Sequence, residues 1–395
     1  MSEWKSLSSI TSKIGSGSTP RGGNSVYSDS GISFIRSQNV LDMDFSTENL
    51  AFINDDQAEK LNNVIVEKND ILLNITGDSI ARCTVVPEEI LPARVNQHVS
   101  IIRCKNTEES KYVMYYLQYM KKYLLQISKV GGTRNALTKE AIGKLPIKIS
   151  DDCNKISKIL DNIDQKIQTN NQINQELEAM AKALYDYWFV QFDFPDQNGK
   201  PYKSSGGKMV YNPELKREIP EGWGVESVGN LLDKVTKAEK IENNSIEFIG
   251  EIPVIDQSQK YIVGFTNNEK ALLQPQDGHV IFGDHTRVVK YINFDYARGA
   301  DGTQVLISNN ENISNVLLYH MIEDFDLTNY GYARHFKFLK EKTVIVPDKE
   351  VSSKFETQAN VIYEKLKNNI FENQELTQLR DWLLPMLMNG QVKVE

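Results

Sequence analysis

The chain has 395 residues, of which 40% are hydrophobic and 25% are charged. This length predicts two or three domains, and the hydrophobic content excludes a largely disordered protein. The formal net charge of −8, from 45 Lys and Arg against 53 Asp and Glu, excludes a generally basic nucleic-acid coat protein but not a local DNA-binding surface.

Residues 1–150 combine short apolar runs with turns, a pattern that predicts strands. A helix is expected over 112–127, so this segment is assigned to one α+β module. The predicted strands begin at Gly31 (GISFI), Asp70 (DILLNI), Thr84 (TVV) and Val99 (VSIIRC).

Residues 151–190 are predicted to form one long helix whose apolar seam repeats every seven residues. Four heptads of this kind are typical of a coiled coil, and the alternative is a core helix of an ordinary domain. Residues 191–222, rich in Asp, Gly, Pro, Lys and Ser, predict a connector of turns without a core. The seam consists of Ile156, Ile163, Asn170, Leu177 and Leu184.

Residues 223–348 return to short strands, with a helix from Asn315, and predict a second α+β module. Residues 349–390 then form a second long helix. The predicted strands begin at His279 (HVIFG), Arg287 (RVVKYI) and Gln304 (QVLIS), and the helical seam consists of Phe355, Ile362, Asn369, Leu376 and Leu383.

The two halves of the chain resemble each other. Asn-Gln-Glu-Leu at 174–177 recurs at 373–376, an offset of 199, and the two helical seams match at the same offset. Gly-Gly-Thr-Arg134 resembles Gly-Tyr-Ala-Arg334 at an offset of 200. Ordered matches at a nearly constant offset predict two half-repeats, each a globular module followed by a long helix.

A polar residue stands at the middle of each seam, Asn170 in the first helix and Asn369 in the second. Such a residue lowers stability and commonly fixes the register of a coiled coil. If the helices pack antiparallel, the two midpoints meet and the amides can bond each other. The predicted fold is therefore α+β, with two modules related by pseudo-two-fold symmetry and separated by two long helices that form an antiparallel coiled coil.

Positive charge is concentrated in residues 110–149, which hold eight Lys and Arg against one Glu, with five tyrosines interleaved. Basic residues among aromatics fit contact with phosphate. A solvated helix face with its tyrosines in the core fits the pattern equally well. Residues 223–334 have the opposite balance, with nine basic and sixteen acidic residues.

The sequence shows no catalytic motif. Gly15-Ser16-Gly17 is followed by Ser18-Thr19-Pro20 and is no dinucleotide fingerprint, and G-x-x-x-x-G-K-[ST] does not occur. The five histidines lack zinc-ligand spacing, and the three cysteines form no CxxC pair. We therefore predict a non-catalytic binding protein with no cofactor or metal of its own. The absence of an 18-residue apolar stretch and of an apolar signal core predicts a cytoplasmic location.

Four segments resemble type I restriction-modification specificity (S) subunits. Residues 183–223, from ALYDYWF to IPEGW, resemble the central region of that family. NNQINQELEAMAKALYDYWF and ENQELTQLRDWLLPMLMNGQVKV resemble its two helical regions, and VIFGDHTRVVKYINFDYARGADGTQVL resembles a segment of its second recognition domains. The resemblance implies target recognition domain 1 at 1–150, the central helix at 151–190, the connector at 191–222, target recognition domain 2 at 223–348 and the C-terminal helix at 349–390.

The resemblance also implies a function in defence against foreign DNA. Each recognition domain would read one half of a bipartite site in double-stranded DNA, and the coiled coil would set the gap. The subunit would assemble with two methyltransferase (M) subunits and, for cleavage, with restriction (R) subunits. S-adenosylmethionine, ATP and Mg would bind to those partners. The acidic balance of 223–334 then predicts weak DNA binding by this chain alone, with phosphate-binding charge supplied by M.

Polar side chains on predicted turns are the candidate DNA contacts, because Arg and Lys read guanine, Asn and Gln read adenine, and Lys holds phosphate. The turn at 283–287 is expected to match the turn before Arg82, and the repeat sets Arg134 and Arg334 at equivalent positions. In the first domain the candidates are Arg36, Arg82, Arg94, Asn96, Gln97, Lys129, Arg134 and Asn135. In the second domain they are His285, Arg287, Lys290, Arg298, Gln304, Arg334 and His335.

Two other hypotheses stay open at this point. The chain could be the DNA-reading scaffold of a methylase-only or other defence complex without an R partner, which the neighbouring genes would reveal. It could also be a scaffold whose modules bind protein. Salt dependence distinguishes a protein-binding scaffold from a DNA reader, because the logarithm of a DNA reader's affinity falls linearly with the logarithm of the salt concentration.

Overall fold

The structure is a computed structural model that describes residues 3–129, 135–233, 235, 238–299, 302–328 and 334–394. It divides into two compact units. Unit 1 is Met1–Thr169 with Asn373–Glu395, and unit 2 is Asn170–Glu372. Each of the two long helices therefore contributes one segment to each unit.

Unit 1 contains two four-stranded sheets and one strand pair. Their strands are β1 (Glu3–Ser6), β2 (Thr11–Ser16), β3 (Ile32–Ile35), β4 (Ala51–Ile53), β5 (Ile65–Val66), β6 (Ile71–Asn74), β7 (Cys83–Val85), β8 (Ala93–Val95), β9 (Val99–Cys104) and β10 (Pro146–Ile149). The strand orders are β2-β9-β6-β7, β4-β3-β8-β5 and β1-β10. All pairs are antiparallel except β3–β8.

The helices of unit 1 pack mainly beside the first of these sheets. They are α1 (Leu7–Ile10), α2 (Asp55–Glu59), α3 (Ser110–Tyr119), α4 (Lys121–Ile127), α5 (Lys139–Gly143) and the start of α6 (Cys153–Tyr185). Thr138 caps α5, because its hydroxyl accepts a hydrogen bond from the Ala141 amide at 3.1 Å. The predicted helix at 112–127 is thus two consecutive helices, α3 and α4.

Unit 2 repeats this architecture. Its strands are β11 (Met209–Asn212), β12 (Arg217–Pro220), β13 (Gly224–Ser227), β14 (Leu232–Asp233), β15 (Ile252–Ile255), β16 (Gly264–Thr266), β17 (Leu272–Leu273), β18 (His279–Gly283), β19 (Val289–Ile292), β20 (Tyr296–Arg298), β21 (Thr303–Ser308) and β22 (Thr343–Val346). Its helices include α7 (Asn315–Ile322), α8 (His335–Lys340) and most of α9 (Lys349–Asn389).

The strand orders of the two units correspond element by element. The orders in unit 2 are β14-β21-β18-β19, β16-β15-β20-β17 and β13-β22. They correspond in turn to β2-β9-β6-β7, β4-β3-β8-β5 and β1-β10 of unit 1. The parallel pair recurs as well, as β15–β20. The predicted α+β class is confirmed, and the internal repeat found in the sequence is a repeat of folded topology.

The long helices pair antiparallel within each unit, as predicted. In unit 1, Arg380 of α9 lies 2.8 Å from the Asp164 carboxylate of α6. In unit 2, the rings of Tyr185 at the end of α6 and Phe355 near the start of α9 are in edge contact, 6.3 Å apart. Residue numbers on one helix rise as those on the other fall, which defines the antiparallel direction.

The connector differs from its prediction. Beyond a π-helical turn at Asp186–Val190, residues 191–222 contain the β11–β12 hairpin, and several of their apolar side chains are buried. The ring of Phe194 stacks on Trp223 at 5.0 Å. Turn-forming residues dominate the composition of this segment, but a few aromatic residues suffice to join it to the core of unit 2.

Candidate nucleic-acid interface

The loop between β6 and β7 of unit 1 ends in a left-handed residue. Ala81 has a φ of 68° and its amide donates to the Asn74 carbonyl at 2.9 Å. The Asn74 amide in turn donates to the Arg82 carbonyl at 2.8 Å. These bonds close the loop and set Arg82 at its base, half-buried.

The loop between β18 and β19 of unit 2 is closed in the same way. Arg287 has a φ of 64° and its amide donates to the Gly283 carbonyl at 2.8 Å, while the Gly283 amide donates to the Val288 carbonyl at 2.8 Å. The two loops are therefore equivalent, as the sequence predicted. At the residue level the backbone matches Arg287 to Ala81 and Val288 to Arg82.

An open cleft of about 920 Å³ lies beside the unit 1 loop. It brings together two of the predicted contacts, Arg82 and the exposed Asn135. Sequence reasoning missed His98 in this cleft, whose Nδ1 lies 2.6 Å from the Thr76 hydroxyl. The cleft is lined by Ser37, Gln38, Thr76, Gly77, Asp78, Ser79, Arg82, His98, Asn135 and Ala136.

The exposed Gln97 belongs to the same surface, because its amide nitrogen lies 3.3 Å from His98 Nε2. Its amide oxygen accepts a hydrogen bond from the Thr19 hydroxyl. Lys129 is also exposed. Arg36 is half-buried, and its guanidinium donates to the Asn49 carbonyl at 2.5 Å. Gln97 and Lys129 are the more accessible of these candidates.

Two candidates of unit 1 lie inside the fold. Arg94 is 7% exposed, and its guanidinium donates to the Ala58 carbonyl and to the Asn62 amide oxygen, each at 3.2 Å. Burial lowers the pKa of Arg94. Asn96 is also buried and its amide oxygen accepts from the His98 backbone at 3.0 Å. Both side chains hold local structure and are not presented to a ligand.

In unit 2, Gln257 supports the equivalent loop. Its amide oxygen accepts from the His285 backbone at 3.1 Å, and its carbonyl accepts from the Thr286 hydroxyl at 2.5 Å. The side chains of His285 and Arg287 are exposed above this support. The loop therefore presents an imidazole and a guanidinium on a fixed backbone.

Lys290 and His335 are not exposed beside His285 and Arg287. Lys290 is 4% exposed, its ammonium donates to the Asp256 and Lys260 carbonyls at 2.8 and 2.5 Å, and burial lowers its pKa to about 8. His335 is 4% exposed, with Nδ1 3.0 Å from the Asp284 carbonyl. Both residues fasten neighbouring segments of unit 2 together.

The remaining candidates of unit 2 lie nearer the surface. Arg298 and Gln304 are half-buried, and Arg334 is exposed. Arg134 lies outside the described residues.

The segments that lead into α5 and α8 make similar backbone bonds. Leu137 donates to the Ile75 carbonyl at 2.9 Å, as His335 donates to the Asp284 carbonyl at 3.0 Å. The equivalence of Arg134 and Arg334 stays a prediction.

The tyrosines of the basic segment divide between core and surface. Tyr112, Tyr115 and Tyr116 are buried, whereas Tyr119 and Tyr123 are exposed. Several lysines of this segment are paired within the chain, at Lys111–Asp161, Lys121–Asp42 and Lys144–Glu140. The core interpretation therefore accounts for most of the pattern.

The seam asparagines both lie buried in unit 2. Asn170 donates to the Glu372 carboxylate at 2.7 Å, and Asn369 donates to the Asn174 amide oxygen at 2.8 Å. Each amide therefore bonds a residue of the opposite helix. The two bonds lie about one helical turn apart along the pair.

The described ranges contain no group of three or more His, Cys, Asp and Glu side chains that could hold a metal ion. Every helix within those ranges is too short or too polar to cross a bilayer. All three cysteines are buried and unpaired, and burial raises the pKa of Cys83 to about 12.

Comparison with known proteins gives these loops a context. Residues 1–179 match the family described as the type I restriction modification DNA specificity domain. The chain is 26% identical over 344 residues to the type I restriction enzyme MjaIX specificity subunit of Methanocaldococcus jannaschii, covering 77% of this chain and 74% of that protein. It is 24% identical over 339 residues to the HindI specificity subunit of Haemophilus influenzae, covering 66% and 72%.

A solved structure shares the fold. The S subunit of the type I restriction-modification system from M. genitalium has a TM-score of 0.60 and 13% identity, over 100% of this chain and 97% of that one. The chain is therefore similar in sequence and fold to type I restriction-modification specificity subunits, and its residues 1–179 match that family's DNA specificity domain.

Proposed function

We propose that this chain reads the sequence of double-stranded DNA, without catalysing a reaction, for a type I restriction-modification complex. Each unit would read one half of a bipartite site. The observation that carries the proposal is the pair of equivalent loops, each closed through a left-handed residue and each bearing exposed or half-buried polar side chains at the same place in the fold.

The structure narrows the set of contacts that we propose. Four predicted residues leave it because they are buried and bonded within the chain: Arg94, Asn96, Lys290 and His335. The exposed members of the set are Gln97, Lys129, Asn135, His285, Arg287 and Arg334, and the half-buried Arg82 is kept with them because it lines the open cleft. We assign three half-buried residues to the edge of the proposed contact surface: Arg36, Arg298 and Gln304. Arg134 stays a predicted contact.

Two copies of one partner, the M subunit, fit the repeat. Met180 of α6 and Tyr187 of the following π-helical turn are exposed apolar residues of unit 2, and Leu379 and Trp382 of α9 are exposed apolar residues of unit 1. Met180 and Leu379 are equivalent at the offset of 199. Exposed apolar patches commonly mark protein interfaces. A similar patch on each half suits two identical partners.

The remaining roles follow from the same proposal. The antiparallel helices would set the gap between the half-sites, with Asn170 and Asn369 fixing their register. R subunits would join for cleavage. S-adenosylmethionine, ATP and Mg would be held by the M and R partners.

The test has two steps. Expressing the chain with its neighbouring M subunit and mapping methylated adenines across the genome would give the target. The affinity of the purified complex for that duplex and for a scrambled duplex is then measured over a range of salt concentrations. We expect tighter binding of the target and a linear fall of log affinity with log salt. Equal binding of both duplexes at every salt concentration would refute DNA reading.

A further inference from the structure

Unit 2 contains a cleft of about 470 Å³ whose lining includes Val288 of the β18–β19 loop. Its walls come from the unit 2 segments of α6 and α9, from α7 and from the strands beside them. The lining includes four tyrosines and two carboxylates, together with two lysines. The residues that matter are Tyr261, Tyr291, Tyr319, Tyr363, Glu178 and Glu323.

Three of the tyrosine rings contact one another. Tyr291 and Tyr363 meet edge to face with centroids 4.8 Å apart, and Tyr319 lies 6.1 Å from the first and 6.0 Å from the second. The hydroxyl of Tyr261 donates to the Tyr291 carbonyl, which ties a fourth ring to the set. Tyr291 and Tyr363 are buried, whereas Tyr261 and Tyr319 are half-buried and are the rings accessible from the cleft. Aromatic faces attract organic cations through their negative quadrupole.

The carboxylates add negative potential. Glu323 lies 2.7 Å from His320 Nδ1, whereas Glu178, at the rim, forms no ion pair with any described residue. Partial desolvation raises the pKa of Glu178, and the charge of Glu323 raises it further. Burial and the same carboxylates raise the pKa of Tyr319. The cleft therefore favours a positive charge.

The lysines that border the cleft are already bonded elsewhere. Lys290 donates to two backbone carbonyls, and Lys182 is paired with Asp324 and lies 3.6 Å from Asp186. Neither interaction uses the Glu178 carboxylate.

In unit 1 the equivalent position is occupied by an arginine. Its α9 segment supplies Arg380, whose guanidinium binds Asp164, and the same carboxylate accepts from the Tyr115 hydroxyl at 2.5 Å. At the offset of 199, Arg380 corresponds to Ala181 of unit 2. Glu178 and Lys182, on either side of Ala181 in the helix, line the cleft. At the same offset Asp164 corresponds to Tyr363, so unit 2 has an alanine in place of the arginine, a tyrosine in place of the aspartate, and its carboxylates at the neighbouring Glu178 and Glu323.

We propose that this cleft is a binding site for an organic cation, either a guanidinium or an alkylammonium group. The cation could belong to an Arg or Lys side chain of a partner protein or to a free molecule such as a polyamine, and the chemistry of recognition is the same.

The first experiment uses the full chain and a matched pair of probes, butylguanidinium and its neutral analogue butylurea, in calorimetric titrations at constant ionic strength. We expect butylguanidinium to bind about tenfold more tightly. Glu178→Gln should weaken that binding on the order of fivefold. Glu176→Gln, on the same helix but outside the cleft, is the control and should change nothing. Equal affinities for the two probes, or equal losses in both variants, would overturn the proposal.

A second experiment identifies the source of the cation. Of the two experiments, only this one rests on the proposed function. Butylguanidinium is added to the complex of this chain with the M subunit. Displacement of M would assign the site to a partner side chain, and binding without displacement would assign it to a free cation. Failure of the chain to bind M would contradict the proposed function and leave the result of the first experiment standing.

Discussion

Arg287 combines an exposed guanidinium with a left-handed backbone, a conformation that costs an ordinary residue about 1 kcal/mol or more. Its equivalent, Ala81, has the same backbone without the charge. The pair therefore allows the contribution of the side chain to ligand binding to be separated from the contribution of the backbone to stability.

We predict that Arg287→Gly raises the free energy of unfolding by about 0.5–1 kcal/mol, because glycine adopts this conformation without strain. The same change should weaken DNA binding by the assembled complex by about 1–3 kcal/mol if Arg287 reads a base. Ala81→Gly should leave DNA binding unchanged, and its net effect on stability should be small, because the relief of backbone strain is offset by the loss of a buried methyl group worth about 0.8 kcal/mol. Urea denaturation and fluorescence anisotropy measure the two quantities. Unchanged DNA binding in Arg287→Gly would remove this residue from the contact set.

Lys290 provides a pH-dependent contribution to stability. Its pKa is lowered to about 8 in the folded protein, so between about pH 8 and 10 the unfolded chain binds more protons than the folded one. The free energy of unfolding should therefore rise with pH, by about 1 kcal/mol from pH 8 to 9.5. Lys290→Met should abolish this rise, whereas the same change at the exposed Lys270 should preserve it. Parallel pH profiles in the wild type and Lys290→Met would contradict the assignment.

The candidate residues show how far sequence reasoning reaches. The sequence identified the β18–β19 loop as the counterpart of the loop before Arg82, but it did not give the residue-level match of Arg287 to Ala81, because loops 75–82 and 284–288 differ in length and a constant offset cannot align them. The sequence also did not indicate which of the candidate side chains are buried. Lys290 lies on β19 opposite Ile281, and only the packed sheet shows that its ammonium is directed into carbonyl oxygens.

At the scale of elements, a buried ion pair joins the two long helices in unit 1. The side chains of Arg380 and Asp164 are 13% and 10% exposed, and desolvation raises the pKa of the Asp164 carboxyl. Removing one partner from such a pair leaves a buried charge without compensation, which is more harmful than removing both.

We predict that Arg380→Met lowers the free energy of unfolding by about 3 kcal/mol and that adding Asp164→Leu restores part of the loss. Lys144→Met is the matched control, because Lys144 pairs with Glu140 in solvent and its loss should cost under about 1 kcal/mol. Equal losses in Arg380→Met and Lys144→Met, measured by urea denaturation, would show that the buried pair does not stabilise the helices.

The long helices were the elements most readily predicted, because four heptads of apolar residues outweigh local ambiguity. Their antiparallel direction followed from the central asparagines, although each amide bonds a different residue from the one expected, Glu372 for Asn170 and Asn174 for Asn369. Side-chain partners depend on the detailed packing of the two helices, which a seam pattern does not specify.

At the scale of the whole molecule, the acidic balance fits a chain that depends on its partners. Residues 223–334 hold nine basic and sixteen acidic residues, and several lysines of 110–149 are paired internally. Affinity for DNA depends strongly on contacts between phosphates and the side chains of Lys and Arg. The proposed M subunits would supply the cations that this chain lacks.

We propose that the helix pair sets the gap between the two half-sites. Because the helices are antiparallel, both must be lengthened at the same level, by seven residues after Thr169 and seven after Glu372. Seven helical residues add about 10 Å, the length of roughly three base pairs.

Mapping methylated adenines in cells that express this lengthened chain with M is the most direct measurement. We predict the same two half-sites as for the natural chain, separated by a gap about three base pairs longer. An unchanged gap would contradict the spacer role of the helices, and a continuous recognition sequence would contradict the reading of two half-sites by the two units.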